Sequence, residues 1–333
     1  MFAKKRQARI LGEGRCLWHT ISAHPPRGGP CARAAGQEKK NIPKWEMAHT
    51  EGEGENRPRA AARSAFPGYE FAPYVSKNAH DILGATYVLT MRDSTRNYRK
   101  QLDRFTPALT NYVVKNDGYK NVDRPLCKQA PVYDAVYSYA QIFKHAAIHH
   151  PHVPILLLED DFFWKSDADD LPSLLRDIRI FIDGHAGVDH YWLGCLPLPM
   201  LRIPQKVGDH VRIHGRALAS HAVISTPKAM RFFIETMQHF PCKIEFADPF
   251  MSETRVCYRH KRQLCYQLFE DSPSQRMSWP KYLSAVTRAL RLHKRPEPVW
   301  TCTYRLVEYH VQFLLAVGAC VVVAALRKPG GLK

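Results

Sequence analysis

Ile155-Leu-Leu-Leu-Glu-Asp-Asp-Phe-Phe-Trp164 is an apolar run cut short by three consecutive acids. Ile155–Leu158 has the pattern of a strand buried on both faces of a parallel sheet, because no polar residue alternates within it. Glu159, Asp160 and Asp161 follow without a break, and aromatics resume at Phe162. Adjacent carboxylates repel one another, and apolar flanks keep them from full solvation. A divalent cation would neutralise them. Hard oxygen ligands at the carboxyl end of a buried strand suit Mg²⁺ or Mn²⁺ holding a phosphate, and ligands bind at that edge of an open α/β sheet. The competing reading is a solvated strand-to-loop turn whose acids only end the strand.

Working outward, strands and helices alternate. Ala85–Met91 reads as a strand of β-branched and apolar residues. Asp93 or Ser94 would cap a helix over Thr95–Phe105. Asn111–Val114 is a second short strand, stopped by the Asn116-Asp117-Gly118 turn signal. Pro131 opens an amphipathic helix in which Val132, Val136, Tyr139, Ile142 and Phe143 share a face. After the acids come a helix over Asp170–Asp183 and a buried strand over Tyr191–Leu196. A further strand over Leu218–Ser225 holds His221 in its middle. Thr226-Pro227 then caps a helix through Phe240, Asp248-Pro249 opens another, and Gln263–Phe269 is a last short strand. This pattern predicts one Rossmann-like α/β domain over 78–285 with a mainly parallel sheet.

The ends differ from this core. Residues 1–77 read as a disordered basic tail, with 13 Lys/Arg against 6 Asp/Glu in the first 66 residues. They are rich in Gly, Ala and Pro, with no sustained apolar period. Their apolar runs are too short for a secretory or signal-anchor segment. Residues 286–308 form a basic, helical linker. Val311–Leu326 is apolar apart from Gln312, and as a helix would span roughly 24 Å at about 1.5 Å per residue. With Tyr309, Arg327 and Lys328 at its ends, 309–328 is expected to be a C-terminal hydrophobic helix held in a membrane. A buried core helix is the alternative.

The whole chain carries 48 Lys+Arg against 31 Asp+Glu. That balance suits nucleic acid, an anionic membrane surface or phosphorylated small molecules, and does not choose among them. Nine cysteines in 333 residues do not make a disulfide scaffold, and their spacings lack the paired Cys-x-x-Cys of zinc sites. Cys257, His260 and Cys265 are a weak metal candidate, and His149, His150 and His152 read as a polar helix end.

Four segments together resemble the glycosyltransferase family 25 type of sugar transferase, the lipopolysaccharide- and collagen-galactosyltransferase group. Val88-Leu-Thr-Met-Arg-Asp-Ser-Thr-Arg96 looks like that family's opening strand and Arg-rich helix start. Ile155–Asp161 looks like its Leu-Glu-Asp-Asp motif. Ala219-Ser-His-Ala-Val-Ile-Ser225 resembles its Thr-His-Ala-Tyr-x-Ile-Ser strand, and Ala247-Asp248-Pro249 sits where it has an acid before its last helix. The likeness covers roughly 84–280. The chain departs from it in the tail and in lacking the Gly-x-x-Gly-Cys element, whose place Pro131–Asp134 takes.

The resemblance implies a GT-A-like fold and an inverting transfer from a nucleotide-sugar donor to a glycan, lipid or protein hydroxyl. It also implies residence at a Golgi or endoplasmic reticulum membrane through the C-terminal helix, with no nucleic acid involved. Glu159 and Asp161 are the expected ligands of Mn²⁺ or Mg²⁺, since alternate positions past a strand point the same way. Asp160 between them, Arg92 through its planar fork and His221 are expected to contact the nucleotide sugar. Asp248 is the expected base for the acceptor hydroxyl, with an ordinary helix cap as its bland reading. His221 is equally readable as a core histidine, and Arg92 as a solvated one. Gln267, Ser274 and Gln275 are expected in a polar loop on the acceptor side.

Two other functions are compatible with these features. A metal-dependent phosphodiesterase or nuclease would need further acids converging on two metals, and only Asp248 and Asp93 are placed for that. A basic, membrane-tethered nucleic-acid- or surface-binding protein would make the charge the function. It calls for aromatics interleaved with Lys/Arg, whereas the aromatics here lie mostly in apolar runs.

Overall fold

The computed structural model describes residues 66–165, 168–197, 205–268, 289 and 296–326. In chain order these form β1 (Tyr69–Pro73), β2 (Ala85–Met91), α1 (Tyr98–Arg104), β3 (Asn111–Asn116), α2 (Pro131–His149), β4 (Ile155–Glu159) and β5 (Phe162–Trp164). There follow α3 (Leu171–Gly184), β6 (His190–Pro197), β7 (Lys206–Val207), β8 (His210–Ile213), β9 (Ala217–Ser225) and α4 (Pro227–His239). The last are α5 (Ala247–Thr254), β10 (Cys257–His260), β11 (Cys265–Gln267) and α6 (Glu297–Leu326).

Nine strands make one sheet in the order β1-β3-β2-β4-β9-β6-β10-β8-β7, and β11 pairs with β5 in a separate ribbon. β4 lies near the middle, and its burial explains its sequence. Leu156 and Leu158 pack on the face covered by α1 and α3, while Ile155 and Leu157 pack on the face covered by α2, α4 and α5. All four are fully buried, so no position could alternate to polar. The result is a Rossmann-like three-layer α/β fold.

Several expectations are corrected. The sheet is mixed rather than mainly parallel. β2 pairs in parallel with β3 and β4, and β10 with β6, but β9 runs antiparallel between β4 and β6. The chain returns from β6 through the β7–β8 ribbon instead of a crossover helix, and only a crossover would have made β9 parallel. The fold also starts earlier than 78, because β1 pairs antiparallel with β3. Residues 1–65 lie outside the described residues.

The helix after β2 begins at Tyr98, not Thr95, and Asn97 gives it no side-chain cap. Ser94 is engaged elsewhere, as shown below. Thr226 does cap α4, through Ala229 N at 3.4 Å.

Among the described residues no helix is long and apolar enough to cross a membrane, so the membrane segment expected at 309–328 is not supported. α6 runs unbroken across the expected linker boundary. It starts with Glu297 and Pro298, where a missing N–H costs nothing, and its first half carries Arg305 and Glu308. Its first turn is packed on the domain through the buried Trp300. Arg327 and Lys328 lie outside the described residues.

A disulfide joins Cys127, in the loop before α2, to Cys242, just after α4. The two helices also meet through the Phe143 and Phe233 rings, 5.2 Å apart and edge to face. The linked residues are 115 apart in sequence, a long loop whose closure restricts the unfolded chain. Replacing both cysteines by serine is therefore expected to lower stability by about 2–4 kcal/mol in urea unfolding. An unchanged midpoint would mean that helix packing alone joins α2 to α4.

Candidate functional site

The three acids at the end of β4 do not share one environment. Asp160 turns to the α1 side. Its Oδ2 accepts from Thr90 Oγ1 and Ser94 Oγ, each at 2.7 Å, and its Oδ1 accepts from Arg96. Three residues from β2 and the loop after it thereby close on one carboxylate. Ser94 holds this acid instead of capping α1. Asp160, expected to contact the nucleotide sugar, has both carboxylate oxygens hydrogen-bonded within the protein.

Glu159 projects to the opposite side, as alternation past a strand requires. Tyr139 of α2 donates to its Oε1 at 2.8 Å. Burial pushes the Glu159 carboxyl up to about 8, and the negative charges of Asp161, Asp248 and Asp160 push the same way against the Tyr139 hydrogen bond. Asp161, 3% exposed, is lifted to about 6 by burial, which the nearby Arg96 guanidinium opposes. Its Oδ2 accepts from Gln267 Nε2 at 3.0 Å and lies 3.5 Å from Arg96 NH1. Its Oδ1 is buried with no hydrogen-bond partner among the described residues. Glu159 and Asp161 are thus brought together as expected. Asp248, in the first turn of α5, is close enough to act on Glu159 electrostatically.

His221 lies one residue beyond the Leu158–Ala222 pairing that ends the β4–β9 ladder. The sheet is irregular here. Register shifts separate Trp192, Gly194 and Leu196 of β6 against β9, and Ala219 adopts φ +69°, which costs an L-residue roughly 1–2 kcal/mol. Such bulges re-aim side chains beside functional sites. The His221 ring is buried, which drives its pKa down to about 4. As a neutral ring it donates Nε2–H to Cys265 O at 3.2 Å. Gly194 is required by that crossing: a Cβ there would lie 1.9 Å from Cys265 O and 2.8 Å from His221 Nε2.

Arg92 is not gathered into this cluster. It is half exposed and pairs with Asp117 and with Glu70 at 3.1 Å. The residue that reaches the acids is Arg96, four positions later. Sequence pattern marks none of Thr90, Ser94, Arg96 and Tyr139 as a site residue. Three of them lie in the Val88–Arg96 segment, but which side chain turns inward is set by the loop. Gln267 does face the site, whereas Ser274 and Gln275 lie outside the described residues. Asp93 is exposed.

Among the described residues no group of three or more His, Cys, Asp or Glu is arranged to hold a metal ion. This corrects the Cys257–His260–Cys265 candidate. Cys257 donates to Met251 O at 3.3 Å, His260 accepts from Arg262 N, and His149 stacks beside His145. Glu159 and Asp161 form at most a pair of acidic ligands. That number suits Mg²⁺ or Mn²⁺, which take one or two carboxylates and complete their shell with water and substrate phosphate.

No family model matches this chain, and no curated protein matches it. Among solved structures it is similar to a crystal structure of a glycosyltransferase involved in the glycosylation of the major capsid of PBCV-1. That similarity has 11% identity and a TM-score of 0.34, over 59% of this chain and 97% of that one. So distant a likeness carries no residue roles from one chain to the other.

The raised Glu159 carboxyl has a consequence for stability. The folded state holds a proton that the unfolded chain releases above about pH 4.5, so this group's contribution weakens as pH rises from there to about 8. Glu159→Gln removes that loss. Its melting temperature is expected to exceed wild type by several degrees at pH 8, with the margin shrinking toward pH 4.5. A margin that does not vary with pH would place the Glu159 charge in water.

Proposed function

We propose that this chain is a glycosyltransferase that moves a sugar from a nucleotide-sugar donor to a hydroxyl acceptor on a glycan, lipid or protein. The observation that carries this reading is the buried Asp161 Oδ1 without a hydrogen-bond partner among the described residues. It stands near Glu159, on which Asp248 also acts electrostatically, at the carboxyl edge of a Rossmann-like sheet. A buried acceptor in such company favours a positively charged ligand. The four-segment family 25 likeness in sequence adds to it.

In this reading Glu159 and Asp161 hold Mn²⁺ or Mg²⁺. The bound cation supplies Lewis-acid stabilisation of the leaving diphosphate. Arg96 and Asp160 act on the protein side, holding the end of β4 in place. Arg92, half exposed beyond β2, is offered to the nucleotide or its phosphates. Asp248 takes the proton of the acceptor hydroxyl as that oxygen bonds to the anomeric carbon and the bond to the diphosphate breaks, with inversion. His221, held neutral by burial, lines the sugar-binding side in this reading. The Cys127–Cys242 disulfide supports an oxidising compartment, such as the lumen of the endoplasmic reticulum or Golgi.

The test is release of nucleoside diphosphate from a panel of nucleotide sugars by the full chain, with Mn²⁺ or with EDTA, for wild type and Asp161→Ala. Turnover of one donor is expected with Mn²⁺ only, and a fall of at least about 100-fold in the variant. Turnover that persists in EDTA or in Asp161→Ala would remove the acids from the chemistry.

A further inference from the structure

We propose that Gln267 is a positioning residue for Asp161, and that Trp300 at the start of α6 holds Gln267 in place. The contacts stand on geometry alone; their consequence for metal binding rests on the transferase reading. The short strand β11 is fixed from three sides. Its antiparallel ladder with β5 sets Gln267 opposite Phe162, the residue after Asp161. Its Cys265 carbonyl accepts from His221 Nε2 over the gap left by Gly194. Trp300 Nε1 donates to Gln267 O at 3.0 Å, with the Trp300 ring 5.9 Å from His221. Trp300 itself is 5% exposed, so the donor of this bond is largely withdrawn from water.

From that fixed strand both Gln267 and its neighbour reach Asp161. Gln267 Nε2 donates to Oδ2, and Leu268 N donates to the Asp161 carbonyl at 2.7 Å. Backbone and side chain of the same acid are therefore gripped by one segment. Holding Oδ2 fixes the rotation of the carboxylate and leaves Oδ1 as the oxygen for a ligand. An orienting hydrogen bond of this kind sets the affinity of a metal ligand without touching the metal. The first turn of α6, distant in sequence, thereby becomes part of the site.

Two measurements on the full chain test this. In Mn²⁺ titrations followed by the electron paramagnetic resonance signal of the free ion, Gln267→Ala is expected to weaken binding by about 10-fold or more. Trp300→Phe, which keeps the ring and loses the N–H, is expected to weaken it in the same direction. Gln263→Ala, which deletes a comparable bond to Cys195 O, is expected to leave it unchanged. In EDTA, Gln267→Ala is expected to lower the melting temperature in the wild-type background and to have little effect in Asp161→Ala. Wild-type Mn²⁺ affinity in both Gln267→Ala and Trp300→Phe would overturn the proposal, as would an equal thermal loss in the two backgrounds. A wild-type chain that binds no Mn²⁺ yet shows the background-dependent loss would refute the metal reading and support the positioning contact.

Discussion

The structure around β4 is governed by the cost of placing three adjacent carboxylates at the end of a buried strand. Unpaired charges are expensive in such surroundings, and each acid meets a different solution. Asp160 is fully occupied by Thr90, Ser94 and Arg96. Glu159 has one hydroxyl donor, from Tyr139, and is otherwise pushed toward its neutral form. Asp161 is half satisfied by Gln267 and Arg96. The best-satisfied acid is the middle one, and the site lies at the two that flank it.

The same constraint explains why distant parts of the chain converge there. β2 contributes Thr90, the following loop Ser94 and Arg96, α2 Tyr139, α5 Asp248 and β11 Gln267. The sheet bends to admit them. Gly194 lets the Cys265 backbone cross β6, and the left-handed Ala219 turns β9 near His221. Strain of this type persists only where the surroundings over-determine it, and here the crossing strand, the His221 ring and Trp300 do so.

A second buried polar knot instead balances its charges internally. Arg124 and Asp134 form an ion pair beside the end of β3, with Asn116, Ser138 and Tyr69 supplying the remaining hydrogen bonds. The Arg124 guanidinium also lies over the Tyr69 ring at 4.4 Å. This network ties β1, β3 and α2 together. Its two opposite charges face each other, with only Arg124 Nε lacking a hydrogen-bond partner among the described residues; the acids of β4 instead gather like charges, and that sets the two clusters apart.

Much of the core was legible in the sequence because it depends on local pattern. The unbroken Ile155–Leu158 run, the helical spacing in Pro131–His149 and the Thr226-Pro227 cap report burial and backbone preference directly. Alternation also indicated that Glu159 and Asp161 would part from Asp160. What tertiary structure alone decided is pairing direction and which polar side chain faces which. β9 runs antiparallel because of how the chain returns from β6. Arg96 rather than Arg92 meets the acids because the loop after β2 turns it inward. Gln267 reaches Asp161 because β11 crosses a glycine under Trp300. Each of these joins residues far apart in sequence, and local pattern carries no term for such contacts. They exist only once the layers have packed.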